Sequence, residues 1–132
     1  MRVNTHQTQP IFSTPNAEIT PLATLRHGAQ QVSVIRQKME SGHHNPMHTQ
    51  TTEEVMVVLK GKVVVNIEDQ TATVKQGDTV IIPPNTPHSI ENRSKNTAEW
   101  IIISPARMKF KDAEGNLVCL LYTSDAADDL WC

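Results

Sequence analysis

Gly42-His43-His44-Asn45-Pro46-Met47-His48-Thr49-Gln50-Thr51-Thr52-Glu53-Glu54, closed by Gly61, is answered downstream by Gly77-Asp78-Thr79-Val80-Ile81-Ile82-Pro83-Pro84-Asn85-Thr86-Pro87-His88-Ser89-Ile90-Glu91-Asn92. Glycines mark the turns, and apolar runs lie between them. Two imidazoles and a carboxylate carried on separate strands can converge inside a small β-barrel, where they would make a divalent metal site. His48 and Gln50 are two apart, so on a strand they point to one face. Glu54 shares their parity, although a turn near Thr51-Thr52 intervenes. Met56 and Val58 continue the face of Glu54 and are expected to line the pocket. His88 follows the rigid Pro83-Pro84-Asn85-Thr86-Pro87 loop, which can aim its ring. Neutral imidazole and carboxylate suit Fe²⁺, Mn²⁺, Ni²⁺, Co²⁺ or Zn²⁺.

Working outward, the remaining segments predict strands. Val32–Met39 is β-prone and partly alternating, and Ser41-Gly42 ends it. Val55–Leu59 and Val63–Ile67 flank the turn Lys60-Gly61-Lys62. Thr71–Lys75, Thr79–Ile82, His88–Glu91 and Glu99–Ser104 follow, separated by polar or glycine-bearing turns. Met108–Lys111 is a weaker strand. No segment holds the helical period of 3.6 residues. Short strands at short, regular intervals indicate an all-β sandwich or barrel. Residues 1–30 predict an extended N-terminal arm with turns at Pro15 and Pro21, and residues 31–118 the barrel. Val55–Leu59, Val63–Val65, Val80–Ile82 and Ile101–Ile103 are apolar on consecutive positions, which implies cover on both faces. A homodimer is the simplest source of that cover.

A chain of 132 residues suits one domain with a modest core. Aromatics make up 4%, so Val, Ile, Leu and Met must fill the interior. The net charge of −2, with 12 scattered Lys and Arg, speaks against nucleic acid as a partner. No apolar run is long enough to cross a bilayer, and the polar N-terminus lacks a signal-peptide core, so no membrane partner and a cytoplasmic setting are expected. There is no nucleophile elbow for serine chemistry, and no phosphate-cradling loop precedes Gly61-Lys62.

Residues 119–132, which hold both cysteines, read as foreign. Cys119-Leu120-Leu121-Tyr122-Thr123-Ser124-Asp125-Ala126-Ala127-Asp128-Asp129 resembles a translated transposase adapter from sequencing-library preparation. On that reading the native part ends near Val118 and has no cysteine, which removes disulfides and Cys–zinc sites. The other reading is a short C-terminal helix starting at Ser124.

The two quoted segments together resemble the paired motifs of the cupin superfamily, across about Val32 to Ser104. The first family motif is glycine, five residues, His-x-His, three or four residues, glutamate, six residues, glycine; here it runs Gly42, His48-Thr49-Gln50, Glu54, Gly61. The second is glycine, five residues, Pro-x-Gly, two residues, His, three residues, Asn; here it runs Gly77, Pro83-Pro84-Asn85, His88, Asn92. The resemblance implies a double-stranded β-helix, or jelly-roll barrel, with a metal held by His48, Gln50, Glu54 and His88. The arm around Pro15–Ala23 also looks like that of small single-domain cupins. Two positions depart from the pattern. Asn85 replaces a glycine and tolerates left-handed backbone. Gln50 replaces the second histidine; it can bind through its amide oxygen, shifting preference toward Mn²⁺ or Fe²⁺, or it can hydrogen-bond to a ligand instead. Even without it, His48, His88 and Glu54 make two histidines and a carboxylate.

The resemblance leaves two functions open. One is a metal-dependent enzyme for a small organic molecule, of oxygenase or isomerase/lyase type. The other is a module that binds or senses a small ligand without turnover, with or without a metal. His43 and His44 are expected in the loop at the pocket mouth, as reserve ligands. His6 and His27 are expected on the surface, and nothing places Arg36, Lys38 or Trp100 at a ligand.

Overall fold

β-Branched runs interrupted by left-handed turns leave strands, with two short 3₁₀ turns, as the regular structure among the described residues. The computed structural model describes residues 1–118. Its strands are β1 (Phe12–Ser13), β2 (Glu18–Ala23), β3 (Val32–Met39), β4 (Thr49–Gln50), β5 (Glu54–Lys60), β6 (Lys62–Ile67), β7 (Gln70–Lys75), β8 (Thr79–Ile82), β9 (His88–Glu91), β10 (Ala98–Pro105), β11 (Phe110–Lys111) and β12 (Leu117–Val118). The adapter-like tail and both cysteines lie outside the described residues. No helix among the described residues is long and apolar enough to cross a membrane.

The strands form three antiparallel sheets. A six-stranded sheet has the order β1-β2-β3-β10-β5-β8, and two three-stranded sheets have the orders β7-β6-β9 and β12-β11-β4. This is the all-β jelly-roll barrel that the family resemblance implied. The segment expected as an arm supplies β1 and β2 to the large sheet, where β2 runs antiparallel along β3 from Glu18–Lys38 to Ala23–Val34.

Pleating sorts the large sheet into two faces. Inward rows such as Ile35–Ile102–Met56 and Trp100–Val58 join Ile19, Met39, Val63, Val65 and Ile90 in one core. Trp100 and Met56 are fully buried. Each large apolar side chain so buried contributes about 1.5–3 kcal/mol. Met56 and Val58, expected in the pocket wall, are part of this core.

The outward positions Val34, Val55, Val57, Ile101 and Ile103 are only half-covered, and Ile81 is 64% exposed.

Two turns explain their residues. Gly61 has φ 72°, and a Cβ there would lie 2.9 Å from the carbonyl oxygen of Thr97, so only glycine suits the β5–β6 turn. Asn85 stands at φ 57°, which confirms that asparagine keeps the left-handed turn the motif needs before His88.

The placement of His27 corrects the expectation of an exposed ring: it is 9% exposed. Its Nδ1 accepts from the backbone N–H of Thr24, and its Nε2 donates to Gln9 Oε1 at 2.6 Å. A short 3₁₀ turn, Leu25–His27, folds the ring back onto Thr24. A histidine three residues after a threonine, in a capping-box relation, was the overlooked signal.

Candidate metal centre

Backbone pairing brings the two motif histidines together. His48 and His88 form an antiparallel bridge with N–H···O distances of 3.0 and 2.9 Å. Their ring centroids are 4.2 Å apart. Each ring is fixed by the same local device. His48 Nδ1 donates to the carbonyl of Pro46 at 2.9 Å, and His88 Nδ1 donates to the carbonyl of Thr86 at 2.8 Å. A carbonyl can only accept, so the neutral rings carry their proton on Nδ1. Each Nε2 is left as a lone-pair donor, the form in which imidazole binds metals.

The other two predicted residues meet each other. Gln50 lies on β4, where it pairs with Phe110 and its carbonyl accepts the N–H of Asn85. Glu54 opens β5 and pairs with Ile82. The Gln50 amide nitrogen donates to the Glu54 carboxylate. Both side chains are almost completely buried, as is that of His88.

Burial sets the charge states. It pushes the Glu54 carboxyl up to about 8, because the Gln50 amide carries no charge to offset lost hydration. It pulls His88 down to about 4, helped by the neighbouring His48. His48 also falls below its ordinary value, from burial. At neutral pH the site therefore holds two neutral imidazoles and a protonated carboxyl.

Four buried side-chain atoms among the described residues lack a hydrogen-bond partner: Gln50 Oε1, His88 Nε2, Thr52 Oγ1 and Trp100 Nε1. Buried polar atoms are rarely left unpaired. Two of the four are the atoms that would face a cation. Among the described residues, no three His, Cys, Asp or Glu side chains are gathered for one ion. The lone pairs left open belong to two imidazoles and an amide oxygen, with Glu54 bonded to that amide. This neutral N, N, O set fits a borderline-to-hard divalent ion, and its fit does not require Glu54 in direct contact.

Phe110, whose part in the site the sequence did not reveal, packs its ring 5.7 Å from His48. His44 bridges Glu91 through the backbone, and His43 Nδ1 bonds the carbonyl of Pro15. Neither lines the cavity beside His48.

Comparison with known proteins decides the family. The cupin domain matches residues 35–104. The chain belongs to the cupin family. A cupin barrel accounts for both glycine-marked motifs and for the paired histidines between its sheets. Auxin-binding protein 4 of Zea mays is 30% identical over 104 residues, covering 72% of this chain and 51% of its own length. This cupin thus spans about half of that maize relative. Among solved structures, the polyketide cyclase RemF from Streptomyces resistomycificus matches with a TM-score of 0.75 and 18% identity, over 86% of this chain and 85% of its own. Oxalate decarboxylase of Bacillus subtilis, studied for its Mn(II) centres, matches with a TM-score of 0.68 and 16% identity, over 74% of this chain and 28% of its own. At these identities the solved structures speak for the fold alone.

Proposed function

We propose that this cupin holds one divalent cation, Mn²⁺ or Fe²⁺ by preference, on His48, His88 and Gln50, with Glu54 beside them, and acts on a small organic molecule. The observation that carries the reading is the pair of buried, unpartnered acceptors, Gln50 Oε1 and His88 Nε2. A bound ion of this kind supplies Lewis-acid polarisation or redox chemistry with dioxygen. The protein's own residues do the rest. The carbonyls of Pro46 and Thr86 lock both imidazoles in the metal-binding tautomer. Glu54, bonded to the Gln50 amide beside the ion, stands where a carboxyl can give or take a proton. Oxygenation and isomerase/lyase chemistry both suit this arrangement. Elemental analysis of the purified protein should find about one divalent ion per chain, lost in His48→Ala. Metal-free wild-type protein would refute the reading. Oxygen uptake with candidate substrates then separates oxygenase from isomerase.

The maize relative is named for binding, which favours a second reading: the same site holds a small ligand without turnover. Saturable ligand binding with unchanged ligand on recovery would select it.

The barrel is also proposed to pair with a second copy of itself through the outer face of the large sheet. Val34, Ile103, Val55 and Ile81 stand in register across β3, β10, β5 and β8. Ile101 and Val57 widen this strip. Beside it, Arg36 and Lys38 lie against Glu99. A flat apolar strip edged by both signs of charge complements its own copy, and two such sheets pack face to face. Light scattering should give a dimer for the wild type and a monomer for Ile103→Lys, with association weakened about tenfold or more by the buried unpaired charge. A monomeric wild type would refute the pairing.

A further inference from the structure

The N-terminal arm is tied to the barrel around one buried histidine. A Cβ on Gly28 would lie 2.6 Å from the Arg2 guanidinium, so the start of the arm rests on that glycine. The Asn4 amide donates to the Leu22 carbonyl at 3.2 Å, and Gln9 Oε1 accepts from His27 Nε2 at 2.6 Å. The Gln9 amide nitrogen is turned the other way, to the Thr5 carbonyl, which leaves its oxygen for the ring. His27 therefore carries its proton on Nε2. Its Nδ1 is a lone pair that accepts the Thr24 backbone N–H at 3.1 Å. This is the opposite tautomer to that of His48 and His88. Thr24 is fully buried, and the His27 ring nearly so.

We propose that His27 is an acid-operated latch: a proton taken up on Nδ1 frees the Leu25–His27 turn, and the arm that Gln9 ties to it, while the barrel stays folded. The latch is independent of the metal centre. An imidazolium donates from both nitrogens, so Nδ1–H would face the Thr24 N–H donor to donor. The Thr24 hydroxyl, 3.1 Å from Nδ1, can receive that hydrogen, but the backbone N–H is then buried without an acceptor. The new charge also meets its own sign. Arg26 in the same turn and Arg2 on the arm are cations, and β2, against which the turn packs, has its one charge, Glu18, at the far end. Burial, and then these two guanidiniums, hold the ring below its ordinary 6.5. The stabilisation from the closed turn is thus complete above 6.5 and is lost as pH falls through the lowered value. Swinging the ring into water relieves both penalties, and it takes away the partner of Gln9. What opens is a groove of about 290 Å³ between His6, Gln7 and Ile11 of the arm and Arg36, Lys38 and Glu99 of the large sheet.

Nitrogen NMR of the isotope-labelled full chain reads the ring and the amides on one sample. The amides of Thr8, Gln9, His27 and Gly28 are hydrogen-bonded within the arm and the turn. Their protection from solvent exchange, corrected for the intrinsic pH dependence of exchange, should fall about tenfold between about pH 7.5 and about pH 5. The midpoint of that fall should coincide with the one at which the His27 ring gains its second proton. The amides of Ile35 and Ile102, in the core, should keep their protection across the same range. His27→Gln retains a side-chain oxygen for the Thr24 N–H and does not titrate, so it should abolish the fall. His6→Gln, on the same arm, should leave the fall in place. Absence of the fall in the wild type overturns the proposal, as does its persistence in His27→Gln or its loss in His6→Gln. A parallel loss at Ile35 and Ile102 would make the opening global, and the latch also falls. If His27→Gln cannot hold the arm at either pH, the two wild-type midpoints decide: separate midpoints refute the latch, and coincident ones uphold it.

Discussion

Saturating Mn²⁺ is expected to raise the melting temperature of the wild type, and His88→Ala is expected to abolish that rise. An ion at a hundred times its dissociation constant adds about 2.7 kcal/mol to the folded state. In a domain of this size that is a shift of roughly ten degrees. His88 carries the effect because it is 1% exposed and its Nε2 has no protein partner. Removing the ring takes away a donor that the backbone bonds of Thr86 have already oriented. His88→Ala should also lower metal-free stability, because it empties a buried volume and removes the bond to the Thr86 carbonyl, so the test reads the Mn²⁺-induced shift of each protein against its own metal-free baseline. Gln50→Leu removes an unpartnered Oε1 and also the donor to the Glu54 carboxyl, so it should lower metal affinity and basal stability together. Equal Mn²⁺-induced shifts in the wild type and His88→Ala would show that the ion sits elsewhere.

The second expected result is an alkaline loss of stability in chelator-treated protein. Glu54 has an ordinary value of 4.5 and is raised to about 8 in the fold, so between these values the native state holds a proton that the unfolded chain has released. Its stabilising contribution is complete below 4.5 and is lost as pH rises through about 8. His88 works in the opposite sense. Its folded value of about 4 lies below the ordinary 6.5, so its contribution is complete above 6.5 and is lost as pH falls through about 4. His48 is lowered too and adds to the acid side. Metal-free stability should therefore peak near pH 6.5 and fall by about 1–2 kcal/mol between pH 6.5 and 8. Among the described residues Glu54 is the group displaced upward, so Glu54→Gln should flatten the alkaline limb and leave the acid limb in place. A bound cation favours the ionised carboxyl, so Mn²⁺ should shrink the same limb. Urea denaturation across that pH range measures both effects. An alkaline limb that persists in Glu54→Gln would contradict the burial of this carboxyl as its cause.

Most of the fold was legible in the residues. The strands around Val32–Met39, Thr79–Ile82 and His88–Glu91 have the bounds that turn residues and β-branched runs predicted. Asn85 took the left-handed turn that a glycine would otherwise fill. The two-residue strands β4 and β12 were not legible, since so short a strand is defined by its partner and not by its own periodicity. The meeting of His48 with His88 was implied by the family resemblance, but the bond from Gln50 to Glu54 was not. Side-chain parity says which residues share a face; it does not say which of two acceptors an amide will choose. The burial of His27 was hidden for a related reason: its partners are Thr24, three residues away, and Gln9, eighteen residues away. The apolar runs of Ile101–Ile103 and Val55–Leu59 signalled two covered faces. Among the described residues the outer face is only half-covered, which is why a second copy is proposed to meet it.

The most direct measurement is pulsed electron paramagnetic resonance on the Mn²⁺-loaded wild-type protein, counting the imidazole nitrogens bound to the ion. Two coordinated imidazoles, reduced to one in either His48→Ala or His88→Ala, are the predicted result. An ion with no bound imidazole, or a count that neither substitution changes, would contradict a metal centre between these strands.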